Sequence, residues 1–483
     1  MKTITTLIFA LFFLSSFAQK EDRNWVFGDS IKIDFNNLSN PSLQFANCIN
    51  NELNASISDK YGSLKIYLSN QEPFGVFSQL RNNLNELIVN GDSIRSHLSA
   101  TNGGVFLPMI NDSNKYYFLT IGNEQPLFGY KLYYSIIDFS QNSLGEVTSK
   151  NVLIQDSISE KLLAIRHGNG RDWWLITNKR NSSNFVKFLI TPSGIEGPFY
   201  QTIGSYLFSD AGEIATNPIG NKIGVIGFLG NIDIYDFDRC TGDLSNWLEL
   251  GSPPYNTGTS GWVYYGCCFS PDGNRFYLTR LNQTGNSYTN LCQYTLNAVN
   301  PQLTRTDIVL QGDYTLAQLE LAPDYKIYIA GAIDYGGLDS AYYYLSVINN
   351  PNDSALACSL DLFSFYLGGH QAHFGLPNMP NYNLGALPDS PCDTLVGIGI
   401  KELQQEKNII RISSNPSNGI FQLISQTPNK KTITVFDLNG RKIFQTKTNE
   451  EKISVDLTNQ PKGIYFIQVV TDVGVLNQKI TLQ

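Results

Sequence analysis

Histidine occurs four times in this 483-residue chain and methionine three times. So little histidine leaves few ligands for a histidine-built metal site. Charged residues make up only 16% of the chain, and Asp and Glu outnumber Lys and Arg by 42 to 34. That acidic balance leaves no electrostatic footprint for a nucleic acid. Beyond the first residues no run of eighteen apolar residues occurs, so no transmembrane helix is expected. The chain also lacks a Gly-x-Ser-x-Gly elbow, a phosphate loop, a dinucleotide fingerprint and a repeated sialidase-type Asp box. Helix-period stretches are missing as well. What remains is rich in Gly, Asn, Ser, Tyr and Phe, the composition of an all-β protein with many turns.

The first residues read as a leader. Lys2 precedes an apolar run from Ile8 to Leu14, and Ser16-Phe17-Ala18 supplies small residues at a cleavage point between Ala18 and Gln19. The absence of Cys at that point argues against a lipid anchor.

A turn-then-strand unit recurs along the middle of the chain. Its clearest copy is Ser270-Pro271-Asp272-Gly273-Asn274-Arg275-Phe276-Tyr277-Leu278, and it is matched by Ala322 to Ile329 and Asn217 to Val225. Aligning the copies makes Ile66, Tyr116, Trp173, Ile223, Phe276 and Ile327 equivalent, with spacings of 50, 57, 50, 53 and 51. A period near fifty with several short strands per unit is the mark of a β-propeller blade. A single twisted sheet has two apolar faces, and a closed ring of sheets covers both. Six units are visible. The pair Asn24–Gly28 and Ile31–Phe35 lacks a first strand, and His373–Asn378 lacks partners. Joining them predicts a seventh blade shared between the chain ends, within a propeller over 19–380.

Residues 381–406, with Pro388 and Pro391, then form a linker, and 407–483 a separate module. From Lys401 onward there are 11 Lys and Arg against 7 Asp and Glu, so a basic module follows an acidic cargo. It contains Asn415-Pro416-Ser417-Asn418-Gly419. An Asn439-Gly440 hairpin signal follows, between Val435-Phe436-Asp437-Leu438 and Arg441-Lys442-Ile443-Phe444. Then come Gln460-Pro461-Lys462-Gly463-Ile464-Tyr465-Phe466 and a final strand. About seven short strands in an immunoglobulin-like sandwich are expected.

In the order of these motifs the tail resembles the type A C-terminal sorting domain of the type IX secretion system. That resemblance implies passage through the periplasm and across the outer membrane, engagement of the secretion machinery, and removal of the tail. It also implies release, or attachment to surface lipopolysaccharide. The cargo resembles the WD40-like and YVTN-like propellers found with such tails, through Asn24-Trp25-Val26-Phe27-Gly28, Tyr235-Asp236-Phe237-Asp238-Arg239-Cys240 and Phe374-Gly375-Leu376-Pro377-Asn378.

Seven Cys in an exported chain predict disulfides with one left over. Cys240 with Cys267 or Cys268 is the first expected pair and Cys358 with Cys392 the second; the alternative is unpaired buried Cys. His370 and His373 have a metal-like spacing, but on a strand i and i+3 face opposite ways. Asp233, Asp236, Asp238 and Asp243 could hold calcium, or could be turn-forming Asp at strand ends. No catalytic residue and no other cofactor is indicated. Most aromatics are expected between blades. Trp262 and Tyr264 follow a Gly- and Ser-rich loop and are the expected ligand contacts. The functional expectation is an exported propeller that binds a glycan, a matrix polymer or a protein. A structural envelope protein and a polysaccharide hydrolase or lyase are the alternatives. Convergent carboxyls in the central funnel would favour the enzyme.

Overall fold

A computed structural model describes residues 19–70, 76–123, 129–251, 262–282, 289–310, 315–332, 342–393, 410–413, 415–425, 430–437, 441–471 and 474–483. The expected leader, with Ala18, lies outside the described residues; Gln19 is the first inside them. The chain divides into two compact units, 1–394 and 395–483. Among the described residues no helix is long and apolar enough to cross a membrane.

The first unit holds seven antiparallel sheets in chain order, spanning 24–49, 56–95, 104–158, 163–207, 214–251, 262–310 and 315–366. We number them one to seven. Six have four strands and sheet one has three. Each is a meander, and in the four-stranded sheets the second strand is central and carries buried apolar residues. Ile66, Tyr116, Trp173, Ile223, Phe276 and Ile327 all lie on second strands and are all buried. The turn feeding that strand is built the same way in most sheets. In sheet six, Asp272 Oδ1 accepts from Asn274 N at 3.0 Å, and Gly273 takes φ +71°. Gly62, Gly170, Gly220 and Tyr325 supply the positive φ in sheets two, four, five and seven, the left-handed corner that Asp-Gly turns provide at least cost. First strands of neighbouring sheets pack on one another and fourth strands face outward, which is the propeller arrangement.

Closure differs from expectation. Sheet one has three strands, all from 24–49, and residues 373–378 form no strand. The segment from Gln371 to Cys392 instead runs between the first strands and touches every sheet. It begins beside sheet one, where Asp29 N donates to Gln371 O at 2.8 Å. Gly28, at φ +57°, admits this approach; a Cβ there would meet Gln371 O at 2.3 Å. Gly375 lies against the Glu52 carbonyl ahead of sheet two. Phe374 packs on Tyr265 of sheet six at 5.7 Å, and Leu376 N donates to Gln318 Oε1 of sheet seven at 2.6 Å. Asn378 Nδ2 bridges the carbonyls of Asn102 and Leu162, at the entries to sheets three and four, at 3.1 and 2.8 Å. Asn381 Nδ2 reaches Pro218 O of sheet five at 2.7 Å. The buried Tyr382 donates to Phe106 O at 2.8 Å. Such a path satisfies backbone groups of several sheets at once, which one ladder could not do.

The disulfide pairing also differs. Cys240 bonds Cys392, with Cα atoms 5.4 Å apart, and Cys48, Cys267, Cys268, Cys292 and Cys358 are free and buried. Cys267 and Cys268 lie on the first strand of sheet six, in the cores between sheets. Cys240 lies in the strand-end turn of sheet five, where the closing segment brings Cys392.

The second unit has a three-stranded sheet (Ile410–Ser413, Ile420–Ser425, Lys452–Asp456) and a four-stranded one. The latter runs in the order Lys442–Thr448, Lys431–Phe436, Gly463–Thr471, Gly474–Leu482. Phe421, Leu423, Ile433, Val435, Val455, Ile467, Val469 and Ile480 fill its core. Asn439 and Gly440 lie outside the described residues, but the flanking strands pair as a hairpin, Phe436 opposite Lys442.

Candidate functional site

The chain enters each first strand at the same end of the ring, so residues ahead of those strands gather at one mouth of the channel. Glu52 precedes sheet two, Ser99 and Thr101 sheet three, Glu160 and Lys161 sheet four, and Asp210 and Glu213 sheet five. A cavity of about 530 Å³ opens there, lined by Glu52, Tyr130, Glu160, Phe208, Asp210 and Tyr265 among others. Sheet three contributes Tyr130, and sheet six Tyr265 at a break in register between Tyr264 and Cys267.

The acidic groups here are held in place. Glu52 accepts from Ser99 Oγ at 3.1 Å and Thr101 Oγ1 at 3.4 Å. Burial nonetheless pushes its carboxyl up to about 7. Burial raises Glu160 too, helped by the charge of Glu52. Lys161, buried beside it, donates to the carbonyls of Asp210 at 2.7 Å and Ala211 at 3.0 Å, and burial lowers its pKa. Asp210 pairs with Arg180 at 2.7 Å, yet burial keeps it above the usual carboxylate range. Deeper in, Glu213 accepts from Gln318 Nε2 at 2.7 Å and from Cys267 N, and burial raises it to about 8. Near neutral pH these carboxyls can both donate and accept hydrogen bonds. On the rim, Tyr206 and Phe208 pack with centroids 4.6 Å apart and their planes tilted by 50°, and are 47% and 44% exposed.

The opposite end of the channel holds a cavity of about 320 Å³ beside the closing segment, lined by Trp25, Cys268, Glu320 and Asn378 among others.

Trp262 begins the first strand of sheet six, opposite Asn282, and its side chain lies outside the described residues. Tyr264 is buried in the core between sheets five and six, so it is not a surface ligand contact. His370 stacks on Phe45 at 4.7 Å, and His373 is held below the usual imidazole range by burial. The four Asp do not converge on a calcium site. Asp233 accepts from Ser205, Tyr235 and Trp247, and Asp236 pairs with Lys222 at 2.5 Å. Asp238 caps a turn through Cys240 N, and Asp243 faces Lys187 at 3.4 Å. Among the described residues no group of three or more His, Cys, Asp or Glu is placed to hold a metal ion. Trp173 and Trp174 are buried between sheets. The carboxyls of the mouth went unread, although Glu52, Glu160 and Asp210 each stand three or four residues before a first strand.

Residues 413–483 match the family model described as the secretion system C-terminal sorting domain. No curated protein matches the chain. Among solved structures it is similar to a protein from Lactobacillus plantarum, at 11% identity and TM-score 0.45, covering 74% of this chain and 97% of that one. It is similar to the periplasmic gluconolactonase of Pseudomonas aeruginosa, at 9% identity and TM-score 0.45, covering 73% and 97%. It is also similar to the β-propeller domain of Myceliophteria thermophila Cps50 (Swd1), at 10% identity and TM-score 0.34, covering 64% and 94%. The tail is a type IX secretion-system C-terminal sorting domain, which directs the chain across the outer membrane to the cell surface or the medium, and its cargo is a propeller of seven sheets.

Proposed function

We propose that the exported propeller binds a glycan at the channel mouth that carries Glu52, Glu160 and Asp210. The observation behind this reading is the coincidence of two features that sugars require. An exposed pair of aromatic rings in contact, Tyr206 with Phe208, stands at the rim. Behind it lies a cavity of about 530 Å³ with buried carboxyls and tyrosine hydroxyls. A sugar ring offers an apolar face to an aromatic platform and hydroxyls to polar groups that both donate and accept. The test is an array of polysaccharides and glycans probed with the oxidised full chain. Saturable binding is expected, weakened about tenfold by Phe208→Ala, the loss of one good stacking contact. A blank array, or binding indifferent to both Phe208→Ala and Glu52→Gln, overturns the reading.

One observation favours a hydrolytic reading as the runner-up. Burial raises both Glu52 and Glu160, and the charge of Glu52 bears on Glu160. Carboxyls in one pocket that hold their protons near neutral pH supply the general acid that cleavage of a glycosidic bond needs. Release of reducing ends from an array hit, abolished by Glu160→Gln with binding retained, would establish it. Binding without turnover would leave recognition as the function.

A further inference from the structure

The four-stranded sheet of the sorting domain has an outer face unlike the rest of the molecule. Its four strands contain Lys431, Lys442, Lys447 and Lys479 and no Asp or Glu. Gly463–Thr471 lies in the middle of the sheet, paired on one side with Lys431–Phe436 and on the other with Gly474–Leu482. Its inward residues Tyr465, Ile467 and Val469 are buried, as alternation requires. Its outward residues Ile464, Phe466 and Val470 are exposed, Phe466 by 46%. Phe436 stands directly opposite Phe466 and widens the stripe. A central strand with a solvated face ordinarily carries polar residues outward; here Gln468 alone does so, between Phe466 and Val470, and the apolar cluster of exposed Ile464 and Phe466 with half-buried Phe436 marks an interaction site.

The charges border this stripe. Lys442 is opposite Phe436, and Lys479 is opposite Phe466 on the other flank; both are exposed, as is Lys447. Lys431 is different, being buried with its Nζ on Glu450 O at 2.7 Å. The three-stranded sheet lacks this pattern. Opposite its exposed Ile420 stands the carboxylate of Asp456, where the four-stranded sheet sets lysines beside its apolar residues.

We propose that this outer face is the surface by which the sorting domain is read, and that its reader is a protein of the secretion machinery. That reader would present an apolar groove with a carboxylate rim. The apolar stripe supplies the contact, and the three lysines supply orientation and partner choice through charge complementarity.

The test is export of the full chain from cells carrying the secretion system, measured as the ratio of medium plus surface to periplasm. Lys442→Glu/Lys447→Glu/Lys479→Glu is expected to lower that ratio about tenfold or more, because like charges would then meet at the rim. Phe466→Ser is expected to act in the same direction, and Ile420→Ser/Ile424→Ser to export as the parent chain does. If protease resistance shows that the Glu triple has lost its fold, the Ala triple at the same lysines carries the prediction. Parental export of the folded triple overturns the proposal, as does an equal loss from the Ile420/Ile424 pair. Intact export with lost surface retention also overturns it and assigns the face to an anionic envelope glycolipid.

Discussion

In the propeller the carboxyls of Glu52, Glu160 and Glu213 and the ammonium of Lys161 are gathered at the centre of the ring. The sorting domain fills the space between its sheets with Phe421, Val435, Ile467 and their neighbours, and carries Lys442, Lys447 and Lys479 on an open face. The difference follows from geometry. Seven sheets in a ring leave an axis that every first strand faces, and the closing segment and the polar groups occupy it. Two facing sheets leave one layer of side chains and no axis, so recognition has to sit outside. Each unit is therefore vulnerable at a different place: the propeller at its axis, the sandwich in its single core layer.

All five Trp (25, 173, 174, 247 and 262) belong to the propeller, so Trp fluorescence follows that unit alone. The largest expected effect is on its closure. The Cys240–Cys392 disulfide spans 152 residues. Cys240→Ser should cost about 5 kcal/mol on a chain-entropy estimate, read as a lower denaturant midpoint of Trp emission. Next is Tyr382→Ala, which empties a fully buried site on the closing segment and should cost about 3–5 kcal/mol in the same transition. Ile467→Ala should cost about 2–5 kcal/mol in the sorting domain and leave the Trp transition unmoved. If either propeller change altered the tail, or the reverse, the two units would not be independent.

A smaller effect concerns protons. Glu52 and Glu213 have folded values of about 7 and 8 against 4.5 for the free group. Between pH 6.5 and 8 the folded state therefore holds protons that the unfolded state has released, and stability falls as pH rises. His97 and His373, whose values are lowered from 6.5, act in the opposite sense, chiefly below that window and fading by about pH 7.5. The propeller midpoint should drop from pH 6.5 to pH 8, and Glu213→Gln should flatten the drop. The sorting domain should show no such slope. The smallest effect on stability is expected from Phe208→Ala, within about 0.5 kcal/mol because the ring is largely at the surface.

The repeat was legible because packing between sheets imposes a period: Ile66, Tyr116, Trp173, Ile223, Phe276 and Ile327 had to be apolar at matching positions. The sorting domain was legible because its turn and strand signals are local. The closing segment was not. His373–Asn378 has the apolar content of a strand, yet its neighbours, Glu52, Asn102, Leu162, Tyr265 and Gln318, are scattered along the chain, and no local signal records them. Cys392 was misassigned for the same reason, since only the segment's path carries it to Cys240. The channel carboxyls were hidden by chemistry, because an isolated Glu before a strand looks like a solvated loop residue until a ring closes around it.

The most direct test of the account is hydrogen exchange on the full chain, with and without a saturating polysaccharide from the array. Protection concentrated at residues 50–54, 98–103, 158–162 and 208–213 is the predicted result, since these segments carry the mouth. Protection confined to outer strands such as Leu244–Gly251, or to the sorting domain, with the mouth unchanged, would contradict it.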